Sequence, residues 1–326
     1  MSNILNNLNK KLLVIGRAGM DIYPEPPGTK TENVESFSTH LGGSAANTCV
    51  ALGQLGITTD LVTCISDDSI GKFVKLKLEK FKIGMQYCRD IKNQFQTQLA
   101  VVETRSKNCQ SVLYRNNSCD LELSLDDINK INFDQYGAVM ISGTALSTEP
   151  SRASVMRAIE ISNEKRIPVI IDIDYRPYNW ESNQVKSDVY KKALEKIDII
   201  IGNDLEFNIA DNSENGLEFA NQLIKKKSSI IIYKKGEYGS ELITKDYKKS
   251  FGIFPVIPLK PTGAGDAFNG GFISSLLHGE TIDAAIIKGS ACAAIVVTKV
   301  ACSSAMPSED ELKDFMKNNI IKEIES

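Results

Sequence analysis

Residues 197–233 read IDIIIGNDLEFNIADNSENGLEFANQLIKKKSSIIIY. Ile197-Asp-Ile-Ile-Ile201 and Ser229-Ile-Ile-Ile-Tyr233 are short β-branched runs that are continuous rather than alternating. That is the pattern of strands covered on both faces. Between them, 204–210 and 215–226 read as helices. Strand, helical crossover and a second two-faced strand imply a parallel sheet. Working outward, Leu12-Leu-Val-Ile15, Asp60–Ile65, Ala138–Ile141 and Pro168–Asp172 read as further strands. The stretches 44–56, 69–82, 150–165 and 186–196 read as the helices between them. This alternation predicts an α/β fold, a doubly wound and mostly parallel sheet flanked by helices. From Gly263 onward three helices follow with little strand, at about 264–278, 281–299 and 308–322.

Two segments break the alternation. Residues 17–40 hold a Pro/Gly cluster and then mixed polar and apolar residues. Residues 95–118 contain a hairpin pattern, with Leu99, Val101 and Val112, Tyr114 flanking a polar turn at Ser106–Asn108. Both are expected to form strands of a small β-sheet projecting from the main body. The length of 326 residues is then best read as one α/β domain spanning 1–326 with this lid inserted.

Composition narrows the function classes. Lys+Arg 38 against Asp+Glu 41 gives a net charge of −3, without the basic excess of a nucleic-acid binder. The apolar run near the start covers five residues, too few for a signal-peptide core, and no stretch approaches the ~20 residues of a membrane span. Seven cysteines without a CxxC pair, beside only His40 and His278, exclude zinc-finger spacing and suit reduced thiols in a cytoplasmic protein.

The chemistry concentrates in two glycine motifs. Thr262-Gly-Ala-Gly-Asp-Ala-Phe-Asn-Gly-Gly-Phe-Ile273 places Gly263, Ala264 and Gly265 at the start of an amphipathic helix. A glycine-lined helix start presents unpaired N–H groups and the positive end of the dipole to an anion. Asp266 in the first turn either complements that dipole or accepts a proton from an alcohol during phosphoryl transfer. Leu41-Gly42-Gly43-Ser-Ala-Ala-Asn47 opens another helix, with Asn47 able to donate and accept. There is no GxxxxGK[ST], no GxGxxG and no GxSxG, which argues against P-loop, dinucleotide-binding and Ser-hydrolase readings.

Taken together, these motifs resemble the ribokinase-like, or PfkB-type, family of carbohydrate kinases, from Leu12 to about Pro307. The markers stand in order: Gly42-Gly43-Ser-Ala-Ala-Asn47, Asn203-Asp-Leu-Glu206, Lys234-Lys-Gly236-Glu-Tyr-Gly239 and Gly263-Ala-Gly-Asp266. The resemblance implies ATP and Mg2+ as cofactors and Asp266 as the catalytic base. It implies Gly263, Ala264 and Gly265 as the anion hole, with Asn203 and Glu206 organising Mg2+ through water. By itself NDLE reads as a helix-capping box. Lys234, Gly236 and Gly239 would lie along the nucleotide. Asp21, Gly42, Gly43 and Asn47 would hold substrate hydroxyls. The odd segments match the family's lid, which closes over the sugar. Some relatives pair through that lid's outer face, so a homodimer stays open.

Substrate charge follows from Arg115, which ends the second lid hairpin, and Arg176, in Asp172-Ile-Asp-Tyr-Arg176-Pro. Guanidinium pairs bidentately with carboxylate, so two such arginines suit a sugar acid better than a neutral sugar. Within the family these stretches resemble the aldonate kinases. The implied reaction is phosphorylation of the terminal primary hydroxyl of 5-dehydro-2-deoxy-D-gluconate, from myo-inositol breakdown. The isomeric 2-dehydro-3-deoxygluconate is the alternative acid, another sugar of the PfkB-type kinases a further alternative substrate, and a non-catalytic sugar-binding regulator the alternative class. Lys260-Pro261 replaces the Asp-Thr that precedes the motif in many members, where the Asp helps bind a monovalent cation in potassium-activated ones. The Lys260 ammonium is expected to take that cation's role.

Overall fold

The computed structural model describes residues 11–92, 94–226 and 230–322. The N-terminal segment 1–10 and the expected strand start at Ser229 lie outside them. The strands are β1 Lys11–Ile15, β2 Gly19–Glu25, β3 Ser36–Gly42, β4 Thr59–Ser66, β5 Gly84–Ile91, β6 Gln98–Val102, β7 Ser111–Tyr114, β8 Tyr136–Ser142, β9 Val169–Asp172, β10 Ile199–Asn203, β11 Ile230–Lys234, β12 Ser240–Ile243 and β13 Lys248–Phe251. The helices are α1 Ser44–Gln54, α2 Ser69–Lys80, α3 Leu125–Asn129, α4 Ser151–Glu164, α5 Asn183–Leu194, α6 Asp204–Asp211, α7 Gly216–Lys226, α8 Ala264–Leu277, α9 Ile282–Val297 and α10 Glu309–Asn318.

Nine strands form one sheet in the order β13-β12-β11-β10-β9-β8-β1-β4-β5. From β11 to β5 every neighbouring pair is parallel; β12 and β13 add an antiparallel hairpin at one edge. The strand pleat sends alternate residues to opposite faces, and β1 shows the result. Leu12 and Val14 pack with α1, α2, α8, α9 and α10, whereas Leu13 and Ile15 pack with α3 to α7. Each face is sealed by helices, so the interior strands carry continuous apolar runs.

Strands β5, β12 and β13 were not legible as such runs. β5 and β13 are the sheet's edges, and half or more of their residues reach solvent, so neither needs an unbroken apolar string. The interrupting segments form a separate four-stranded sheet, ordered β3-β2-β6-β7. Its hairpin register sets Leu99 opposite Tyr114 and Val101 opposite Val112. The inner face of this sheet packs Tyr23, Ala100 and Val102 on Ala301 and Cys302, closing a small third core. Tyr23 Oη donates to Cys302 Sγ at 3.2 Å.

Candidate active site

β1 pairs with β4 on one side and β8 on the other, so the connections leaving β1 and β8 diverge at this point of the sheet. Crevices outside the carboxyl ends of strands at such a switch point are where open α/β sheets bind ligands. Here nearly every strand reaching that edge ends in a polar residue. Arg17 follows β1, Ser142 ends β8, Asp172 ends β9, Asn203 ends β10 and Lys234 ends β11. All of these but Ser142 border a cavity of about 910 Å3, roofed by Asp21, Ala100, Val102 and Leu113 of the small sheet and floored by the start of α8.

Gly263 precedes α8 with φ +88, in the left-handed region. A Cβ there would lie 2.7 Å from Cys302 Sγ, so glycine is required twice over. Among the described residues no side chain caps α8, which leaves its first turn available to an anion. Asp266 stands in that turn and accepts a hydrogen bond from Asn47 Nδ2 at 2.9 Å. Burial, and then the neighbouring Asp174 and Asp172 charges, push the Asp266 carboxyl up to about 7 against the hydrogen bond and Arg17. The Asn47 Oδ1 is buried without a partner among the described residues. Gly43 brings backbone close: its φ is +91, and a Cβ would meet the Arg17 carbonyl at 2.5 Å. Gly42 makes room for the Asp21 carboxylate, whose Oδ1 would lie 1.9 Å from a Cβ, although Gly42 itself does not line the cavity. Burial pushes Asp21 up to about 6.

Across the cavity, Asn203 and Glu206 form a reciprocal capping box on α6. Glu206 N donates to Asn203 Oδ1 at 3.0 Å, and Asn203 N donates to Glu206 Oε2 at 2.8 Å. Both residues also face the cavity, so capping and ligand contact are compatible. Burial and the Asp172 charge push Glu206 up to about 7. Lys234 Nζ lies 3.6 Å from Asp172 Oδ1, and Asn269 Nδ2 donates to Asp172 Oδ2 at 2.6 Å. Lys234, Gly236 and Gly239 all border the cavity, both glycines with positive φ. A tight grouping of acids that could hold a metal unaided is absent among the described residues. Glu206 beside Asp172 still fits Mg2+, which keeps waters and leans on one or two carboxylates plus phosphates.

The arginines divide. Arg176 lines the cavity and pairs with Asp174 at 3.0 Å. Arg115 does not line it: its guanidinium is buried against Asp120, donating also to the Thr144 carbonyl at 3.2 Å. Arg17, which sequence reasoning passed over, does line it. Also missed were Asp172, Asp174 and Asn269. For Arg17, Asp172 and Asp174 the available signal was a charged residue closing an otherwise apolar two-faced strand or following it by two; Asn269, an amide within α8 that reaches Asp172, carried none. Lys260 is wholly buried, with Nζ donating to the Thr262 carbonyl at 2.5 Å and lying 3.8 Å from Cys302 Sγ.

Known proteins give the following likeness. Residues 9–309 match the model of the pfkB family carbohydrate kinases. A 5-dehydro-2-deoxygluconokinase of Photobacterium profundum is 33% identical over 311 residues, covering 94% of each chain. 5-Dehydro-2-deoxygluconokinase 1 of Bacillus cereus is 34% identical over 313 residues, again 94% of each. Among solved structures, a fructokinase from Xylella fastidiosa with bound ATP superposes with a TM-score of 0.84 at 18% identity, over 95% of this chain and 99% of that one. A fructokinase double mutant from Vibrio cholerae O395 with fructose, ADP and potassium bound has a TM-score of 0.81 at 21% identity, over 94% and 99%. At these identities the two structures speak for the fold.

Proposed function

The chain belongs to the pfkB family and is an ATP-dependent carbohydrate kinase, and from that premise we propose that it phosphorylates the terminal primary hydroxyl of 5-dehydro-2-deoxy-D-gluconate. The observation that carries this reading is one cavity holding both a buried carboxyl at an uncapped helix start and guanidinium groups. The names of the relatives supply the particular acid. In this reading Asp266 takes the hydroxyl proton, and its position near 7 suits a base working near neutrality. Asn47 fixes the Asp266 carboxylate through Nδ2 and offers Oδ1 to a substrate hydroxyl. Asp21 and the backbone at Gly43 hold further hydroxyls, and Gly42, set back from the cavity, makes room for the Asp21 carboxylate. Gly263, Ala264 and Gly265 receive the charge of the transferring phosphoryl group. Lys234, Gly236 and Gly239 border the nucleotide. Glu206 and Asn203 hold the waters of Mg2+, which supplies charge neutralisation at the phosphates when bound.

Lys260 puts a fixed cation beside the carbonyl that precedes the anion hole. It has no carboxylate within ion-pair reach among the described residues. That supports the role a bound monovalent cation takes elsewhere. Pairing of two copies would use the outer face of the small sheet, where Phe37, Val112 and Tyr114 are exposed.

A coupled ADP-release assay against 5-dehydro-2-deoxygluconate, 2-dehydro-3-deoxygluconate, fructose and ribose tests the reading. Saturation is expected with the first. Turnover of neutral sugars alone would refute the sugar-acid assignment. Replacing K+ by Na+ at constant ionic strength is expected to leave the rate unchanged; a large drop would remove Lys260 from the scheme.

A further inference from the structure

Three guanidiniums gather beside the sugar end of the cavity, and their surroundings differ. Arg176 is partly exposed, with 42% of its side chain reaching solvent. Besides Asp174, the carboxylates that bear on it include Glu206, Asp266 and Asp172, on the phosphoryl side. Arg115 is occupied by Asp120 and stands behind the wall. Arg17 is different in being both buried, at 6% exposure, and on the cavity wall beside Asp21 and Asn47.

The bonding of Arg17 is incomplete. Nη1 donates to Gln98 Oε1 of β6 at 3.0 Å, and Nη2 lies 3.6 Å from Asp174 Oδ2, which also takes a hydrogen bond from Ser142. Among the described residues its Nε has no hydrogen-bond partner although it is buried, and the same holds for the Gln98 amide nitrogen. Gln98 is itself 1% exposed. Two adjacent side chains are therefore short of acceptors, in a region where an unmet buried donor is costly. Around Arg17, two other guanidiniums, Arg115 and Arg176, face two carboxylates, Asp120 and Asp174. Asp21 and Asp266 on the other flank bring the carboxylates to four, so what sets Arg17 apart is its unmet donor on the cavity wall rather than a net positive charge.

On the reading given above, that this kinase takes a sugar acid, we propose that Arg17 receives the substrate carboxylate and sets the preference for acid over neutral sugar, with Gln98 as the positioning residue that aims it. A carboxylate supplies acceptor oxygens to the Arg17 fork on the cavity wall, while Gln98, which does not line the cavity, acts only by holding Nη1. Arg176 is thereby released to the phosphoryl side. Because Gln98 belongs to the small sheet and Arg17 to the link that leaves β1 of the large one, acid recognition depends on the lid being seated.

The test compares kcat/KM for 5-dehydro-2-deoxygluconate with that for its neutral C1 carboxamide, in the wild type, Arg17→Gln and Arg17→Lys. The acid-to-amide ratio is expected to fall by about 10–100-fold in Arg17→Gln, mainly through KM, and by a smaller factor in Arg17→Lys, which keeps the charge but not the fork. Equal losses on both substrates would make Arg17 structural and overturn the inference. If Arg17→Gln does not fold, the same ratio in Arg17→Lys decides. A wild type that turns over neither acid nor amide, or shows no preference between them, fails the reading beneath as well.

Discussion

Asp266 is where chemistry and cost meet in one residue. It must be charged to act as a base, yet burial and the Asp174 and Asp172 charges hold it at about 7. The base form grows as pH rises, so kcat/KM should climb through about pH 7 on its acid limb. Asp266→Asn should lower kcat by about 10^3-fold or more while ATP binding persists. Near-normal turnover, or an unchanged acid limb, would remove Asp266 from the base role. Its place was legible because the glycines mark the helix start, whereas the base role comes from the family resemblance, since on the motif alone the acid could equally complement the helix dipole. Arg17 was not legible, because a lone arginine after a strand carries no pattern, and its meaning comes from Gln98, 81 positions away. Arg115 shows the converse. Its place at the end of a lid strand suggested the cavity, but the buried Asp120 five residues on claims the guanidinium.

At the scale of elements, the interior strands and most helices could be read directly, because burial on both faces demands apolar runs. Edge strands could not, since their chemistry is half solvent. The lid was visible only as a failure of alternation. Its root is held by a small polar clasp: Ser66 at the end of β4 and Thr97 just before β6. Ser66 N donates to Thr97 Oγ1 at 2.9 Å, and Thr97 N donates to Ser66 Oγ at 3.2 Å. Thr97→Val removes the hydroxyl and leaves the Ser66 N–H unmet, at a cost of about 1–3 kcal/mol. Amide exchange in β6 and β7 should quicken and KM for the sugar should rise. Unaltered protection of those strands would show that the lid is held elsewhere.

Over the whole molecule, the site opposes stability. Asp21, Glu206 and Asp266 are all held above their ordinary values of 3.8, 4.5 and 3.8, at about 6, 7 and 7. Such groups favour the folded state fully below those ordinary values and lose that contribution as pH rises through 6 to 7. Asp174 acts oppositely: held at about 2, it stabilises above 3.8 and fails only as pH drops toward 2. Asp266→Asn should therefore gain Tm over the wild type, by a margin that widens between pH 5 and pH 8; a margin constant with pH would contradict this. The position of β1 carries a further consequence, for synthesis. It is the first described strand of the large sheet, yet it lies between β4 and β8. While the chain is being made, β4 and β5 can pair onto one flank, but the other stays open until Tyr136–Ser142 emerges. For more than a hundred residues of translation a bare hydrophobic strand edge faces solvent, a template for pairing with another nascent chain. Yield from an overexpressing cell should accordingly depend on elongation rate and chaperone supply more than on the stability of the finished enzyme.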